Sequence, residues 1–153
     1  MVILILSSSE TIQSKPLVYK INEKIPQIDY LFITVKANSL PSIAEDLKKH
    51  ISKKTKVILP VHWGGASPNM KKIIKIANKN KIKVVEDACM AIGGKIHGKS
   101  PGTYGIVNAF SMHPLKSLNV MGDGGMVVTN NYKIFNWLKK YRNHGMINRN
   151  QID

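Results

Sequence analysis

The sequence predicts an α/β fold with a mostly parallel sheet flanked by helices. Short apolar runs of strand length alternate along the chain with stretches in which apolar residues are spaced as on one face of a helix. Polar residues follow directly after several of these runs, which is where α/β sheets bind ligands. The 153 residues, 43% of them hydrophobic, are enough for one domain with its own core.

The predicted strands are short runs rich in β-branched and aromatic residues. They cover about residues 30–35, 56–61, 83–87, 106–110 and 126–129. The apolar run at 2–6 is either a buried strand or a ragged start. Helical spacing predicts helices over about residues 41–51, 68–80 and 132–142. Ser67 and Pro68 are the expected N-cap and first residue of the second helix, and the polar tail 143–153 carries no helix or strand signal.

The segment 56–87 has the pattern of a strand, a helix and a strand. Both strands are apolar without alternation, as in parallel sheets that are covered on both faces. His62, Asp87 and Ser111 lie at or just after predicted strand ends, and Lys116 lies in the loop beyond Ser111. We therefore expect these side chains to meet at one ligand site.

The formal net charge of +14 allows two interpretations. One is a basic, non-catalytic α/β module that binds anions or nucleic acid. The other is a lysine-rich surface that only keeps the chain solvated. The basic residues are almost all lysines, with Arg142 and Arg149 the two arginines. Because readers of phosphates and bases favour the bidentate arginine side chain, the composition favours the solvated surface.

Other features of the sequence narrow the class of protein. Cys89 is the single cysteine, so no intramolecular disulfide is possible, and we expect a small buried residue there. The histidines lack the spacing of metal ligands, and we expect no metal site. No apolar run approaches the roughly 18 residues that span a bilayer, and the first residues lack a basic signal region. We expect a soluble, cytoplasmic protein.

Three residues are candidates for chemistry, each with a plainer alternative. Asp87 at a strand end could hold a proton on the ring nitrogen of a cofactor, or could cap the next segment. Lys116, between a strand and the glycine-rich turn Gly122–Gly125, could form a Schiff base, or could be one more solvated lysine. Ser111 could bind a phosphate oxygen, or could be a turn serine.

Five motifs, taken in order and spacing, resemble the DegT/DnrJ/StrS family of sugar aminotransferases. They are Thr55–Gly64 followed by Asn69-Met70, Val84–Ala88, Phe110-Ser111 with Lys116, Gly122–Gly125 with Val127–Thr129, and Arg142–Gly145. The resemblance covers about residues 53–147 and extends more weakly back to about 30.

This resemblance implies part of the large domain of a fold-type-I aminotransferase that depends on pyridoxal 5′-phosphate (PLP) and acts as a dimer. Such enzymes move an amino group, commonly from glutamate, onto a nucleotide-linked keto sugar. By the resemblance, Lys116 is the lysine that forms the Schiff base and moves protons. Asp87 is the partner of the ring nitrogen, and Ser111 binds the phosphate.

The sequence departs from the family pattern in two ways. Where the family has a glutamine that bonds the cofactor's 3-oxygen, this chain has Met90, whose sulfur cannot donate that hydrogen bond. The family's N-terminal Gly-Thr phosphate turn, its ring-stacking aromatic residue and its C-terminal small domain are not found. We therefore expect residues 1–153 to be a fragment of the large domain, in a truncated or split enzyme that binds PLP weakly alone and associates through exposed apolar surface.

Overall fold

A computed structural model describes residues 2–6, 17–19, 30–34, 51–53, 55–142, 146–148 and 151–152. The described elements are nine strands, two α-helices and one short 3₁₀-helix, Trp63–Gly65. The strands are β1 Val2–Leu6, β2 Leu17–Tyr19, β3 Tyr30–Thr34, β4 Val57–Pro60, β5 Lys83–Asp87, β6 Val107–Ser111, β7 Gly125–Val128, β8 Met146–Asn148 and β9 Gln151–Ile152. The helices are α1 Met70–Lys79, between β4 and β5, and α2 Tyr132–Tyr141, after β7.

The first seven strands form one sheet in the order β2-β1-β3-β4-β5-β6-β7. The four central strands, β3 to β6, are parallel to one another. At the edges, β1 pairs antiparallel with β2 and β3, and β7 pairs antiparallel with β6. The predicted α/β sheet is confirmed, and the run at residues 2–6 proves to be a strand.

Asparagine caps begin both helices. The side chain of Asn69 accepts a hydrogen bond from the Lys72 N–H at 3.1 Å, so α1 begins later than the sequence predicted and Ser67 is not its cap. The side chain of Asn131 caps α2 by accepting from the N–H groups of Lys133 and Ile134.

Two other sequence predictions have different outcomes. The helix expected over residues 41–51 falls almost entirely outside the described residues. The expectation that the tail carries no strand was wrong, because β8 and β9 pair antiparallel there. The two strands have only three and two residues, too few to show an apolar alternation from which a strand could be recognised.

The buried core described by the structure lies between α1 and the strands that flank it in sequence. Ile58 of β4, Val84 of β5, and Met70, Ile73 and Ala77 of α1 are buried. Their spacing on α1 is the spacing of one helix face, as predicted. By contrast, α2 has no buried residue. Neither described helix is long and apolar enough to cross a membrane.

Candidate active site

The candidate site lies at the edge of the sheet where β4, β5 and β6 end. Asp87 is the last residue of β5, with Val61 beside it in a parallel bridge and Ala109 of β6 opposite it on the other side. Ser111 is the last residue of β6. Because carboxyl ends of neighbouring parallel strands meet at one edge, Asp87 and Ser111 lie on the same edge of the sheet, whereas His62, which was expected to join them, is fully buried.

Lys116 lies in the loop that connects β6 to β7. The loop is closed by two backbone hydrogen bonds, from Met112 N–H to Gly124 C=O at 2.8 Å and from Val120 N–H to Met112 C=O at 3.0 Å. The Lys116 N–H itself donates to the His113 C=O at 2.9 Å. Its side chain is partly buried, whereas its neighbours in the loop are exposed. The backbone thus holds this lysine close to the end of β6.

The pKa of the Cys89 thiol responds to the candidate groups near it. Burial, the hydrogen bond to Asp87 and the charge of that carboxylate together raise the pKa of Cys89 from 9.0 to about 11. The charge of Lys116 and the backbone N–H of Ser111 act on the same thiol in the opposite direction. Asp87 also accepts a hydrogen bond from the Cys89 N–H at 3.0 Å. The pKa of this thiol therefore depends on two opposing charges, those of Asp87 and Lys116.

Two further contacts bear on what the site can bind. The Ser111 hydroxyl accepts a hydrogen bond from the His113 N–H at 3.3 Å, which directs this side chain toward the start of the loop that carries Lys116. Met90 is exposed, and its carbonyl oxygen faces Gly65, where a Cβ would lie only 3.2 Å away. Gly65 has a φ of +80°, so both its space and its backbone conformation suit glycine.

A buried network beneath Asp87 was not predicted from the sequence. The His62 Nε2 lies 2.9 Å from the Glu86 carboxylate, and its Nδ1 lies 2.6 Å from the Ser67 hydroxyl. His62 and Glu86 are both fully buried, whereas Ser67 is partly exposed. The available signal was Glu86 itself, an acidic residue at a position where the strand predicted from Val84 and Val85 is buried.

The donor set at the rim fits PLP in three respects. A carboxylate, Asp87, suits a protonated ring nitrogen; an amine, Lys116, suits an aldehyde; and a hydroxyl, Ser111, suits a phosphate. Met90 supplies no hydrogen-bond donor from its side chain. Within the part of the chain that the structure describes, no three His, Cys, Asp or Glu side chains are grouped to hold a metal ion.

Comparison with known proteins defines the class. Residues 27–152 match the model of the DegT/DnrJ/EryC1/StrS aminotransferase family. This match covers most of the chain and extends beyond the region in which the motifs are clear. The protein belongs to this family.

Individual relatives agree with this assignment. The chain is 42% identical over 95 residues to the UDP-N-acetyl-3-dehydro-alpha-D-glucosamine 3-aminotransferase of Acidithiobacillus ferrooxidans, a match covering 62% of this chain and 26% of that protein. Among solved structures, DesV of S. venezuelae, crystallised with a ketimine intermediate, is 34% identical with a TM-score of 0.67, covering 71% of this chain and 29% of that one. NtdA of Bacillus subtilis with bound cofactor PMP is 33% identical with a TM-score of 0.65, covering 72% and 25%.

These matches also define what part of the family fold is present. The aligned region spans about a quarter of the length of the curated relatives, 26% for the Acidithiobacillus enzyme. The similar solved structures are likewise matched over less than a third of their length. The fold is therefore that of part of a family member, and it includes the sheet edge where Asp87 and Ser111 lie.

Proposed function

We propose that this chain is the central part of a PLP-dependent aminotransferase that transfers an amino group from an amino acid, with glutamate the expected donor, to a nucleotide-linked keto sugar. The observation that carries the proposal is that Asp87 and Ser111 end two neighbouring parallel strands of a family-type sheet, with Lys116 in the hydrogen-bonded loop that follows Ser111. The named relative from Acidithiobacillus, an aminotransferase of a UDP-linked sugar, supports the substrate class.

Each of the three residues has a distinct proposed task. PLP, when bound, supplies an electron sink for negative charge at the substrate carbon. Asp87 holds a proton at the ring nitrogen, and its bond to the Cys89 N–H fixes the carboxylate in place. Ser111 binds a phosphate oxygen. Lys116 would hold the cofactor covalently through Nζ, and its amine, once released from that bond, would take a proton from the substrate and return it.

We infer that the chain works with a second polypeptide, either another copy of itself or a companion chain. The loop before β7, β7 itself and α2 expose large apolar side chains that a partner would cover. Those exposed by more than half are Leu115, Met121, Val127, Tyr132, Trp137 and Tyr141. Sedimentation at several protein concentrations tests this inference. The chain is measured alone and mixed with proteins encoded by the adjacent reading frames. A monomer under all of these conditions contradicts the inference. The cytoplasmic location remains a prediction from the sequence.

Covalent trapping tests the enzymatic proposal, because it detects cofactor that binds weakly. The chain is incubated with PLP, reduced with borohydride and digested, and the labelled lysines are identified by mass spectrometry. We expect Lys116 to carry most of the label. Lys116→Ala should abolish this site-specific label, whereas Lys95→Ala, which removes an exposed lysine from another loop, should not.

The same experiment separates the rival function. Label spread evenly over exposed lysines, unchanged by Lys116→Ala, contradicts the proposal. Salt-sensitive retention of nucleic acid that does not depend on Lys116 would then support the basic binding module.

A further inference from the structure

Glu86 is the most heavily hydrogen-bonded side chain in the described part of the molecule. It immediately precedes Asp87 in β5 and is fully buried. Its carboxylate accepts from the His62 Nε2 at 2.9 Å. Three backbone N–H groups of the loop before β6 also donate to it, those of Gly102 at 2.8 Å, Tyr104 at 2.6 Å and Gly105 at 2.5 Å. One side chain thus joins the end of β4 to that loop.

The hydrogen bonds require an ionised carboxylate at this position. Burial alone raises the pKa of Glu86, but the His62 bond and the three backbone N–H bonds outweigh it and lower the pKa overall. The carboxylate faces four donor groups, and only its ionised form has acceptors and no donor. A glutamine of the same shape would turn its NH₂ group toward at least one of those donors and leave it unpaired.

Two glycines let the loop approach closely enough for these bonds. A Cβ on Gly102, whose φ is +77°, would overlap the ring of Phe110. A Cβ on Gly105 would lie 2.5 Å from the Asn108 Oδ1, the atom that accepts from the Glu86 N–H. The loop backbone is therefore pressed against β5 and β6 at the point where its N–H groups reach Glu86.

The network also leads directly to Asp87. The backbone N–H of His62 donates to the Asp87 C=O at 2.9 Å. The His62 side chain is held on its other side by Ser67, 2.6 Å away. Because Glu86 binds the imidazole of His62, it fixes the residue whose backbone holds the Asp87 peptide. Side chains alternate along a strand, so Glu86 acts from the face of the sheet opposite to Asp87.

We propose that Glu86 is a positioning residue. It binds His62 and the loop Gly102–Gly105 on the face of the sheet opposite to the Asp87 side chain, and it thereby orients Asp87. It touches neither substrate nor cofactor. The role in cofactor binding rests on the proposed function, whereas the hydrogen bonds of Glu86 and their effect on Asp87 do not.

Alkylation of Cys89 reports on Asp87 without any cofactor, because the thiol is hydrogen-bonded to that carboxylate and its pKa is raised to about 11. Glu86→Gln should move the pH midpoint of the alkylation rate down toward the ordinary 9.0 of a thiol. The control, Ile73→Ala, removes a buried side chain of α1 that takes no part in the network and should leave the midpoint in place. Far-UV circular dichroism establishes the temperature at which both variants remain folded.

Hydrogen exchange and PLP trapping complete the test. In Glu86→Gln, the amides of Gly102, Tyr104, Gly105 and His62 should exchange about tenfold faster or more, and PLP labelling of Lys116 should need about tenfold more PLP. An unchanged Cys89 profile, or unchanged exchange at those amides, overturns the proposal. If the wild type takes no PLP but the Cys89 profile shifts, the positioning role stands and the enzymatic proposal fails. If wild type and variant are labelled alike, the role in cofactor binding fails.

Discussion

Apolar side chains are more deeply buried in the segment from Thr55 to Phe110 than in the segment from Met112 to Tyr141. In the first, Ile58 and the inner face of α1 are buried. In the second, Trp137 is 58% exposed and Met121 is fully exposed. Both have regular hydrogen bonds and well-formed elements, so the difference lies in packing and not in secondary structure.

This contrast matters for function because the candidate site joins the two segments. Asp87 projects from the segment with a buried core, whereas Lys116 lies in the segment whose apolar side chains are exposed. The carboxylate therefore has a rigid support within this chain. The amine is placed mainly by the hydrogen bonds of its loop. Any partner that covers the second segment would also restrain Lys116.

The largest expected effect comes from the core. Ile58→Ala should lower the free energy of unfolding by about 2–5 kcal/mol, since it removes a fully buried side chain and leaves a cavity. Urea denaturation followed by circular dichroism measures the change. A loss below about 1 kcal/mol would show that the first segment does not hold a well-packed core.

The next effect concerns the junction of the two segments. With a pKa of about 11 in place of 9.0, Cys89 has on the order of 100-fold less thiolate than an ordinary cysteine at pH values below 9.0, so its alkylation should be slow. Asp87→Asn should speed alkylation because it removes the carboxylate. Lys116→Ala should slow it, because the opposing positive charge is lost. The same response to both substitutions would show that the two charges do not flank the thiol.

A smaller effect on the free energy of unfolding is expected when the pH is lowered. The pKa of Glu86 is lowered from 4.5, so the folded state binds this proton less readily than the unfolded state. Its contribution to stability is complete above pH 4.5 and is lost as the pH falls through the lower folded-state value. Urea unfolding from neutral to acidic pH should show this loss. In Glu86→Gln the dependence should be weaker, and an equal dependence in both proteins would assign it to other groups.

The smallest effect is expected at the exposed surface. Met121→Ser should change the free energy of unfolding by no more than about 0.5 kcal/mol, because the side chain is already in solvent. It should also reduce binding of an apolar dye. A clear destabilisation would mean that the second segment packs more closely than the structure indicates.

Much of the fold was predictable because its signals are local. The strands and helix between Lys56 and Asp87 follow from apolar spacing within a few residues. The rim positions of Asp87 and Ser111 follow from the rule for strand ends. The pairing of β8 with β9 could not be predicted, because strands of three and two residues are too short to show a periodic pattern.

The network around Glu86 could not be predicted for a different reason. His62 and Glu86 are 24 positions apart, and they meet only because β4 and β5 are adjacent in the sheet. Their contact depends on strand register and on the close approach of Gly102 and Gly105. The presence of Glu86 in β5 does not by itself identify its partner, because the residues that bind it come from two other segments of the chain.

The antiparallel return of β7 has a consequence for how this protein can vary. Ser111 lies opposite Gly125, so the connection that carries Lys116 begins and ends at a fixed rung of the ladder. Losing or gaining one residue in this connection would either change the register of β7 against β6 or displace the Lys116 amine. A register change of one residue turns every side chain of β7 to the other face of the sheet. Natural diversity in this connection should therefore take the form of substitutions at constant length, with insertions and deletions confined to other loops.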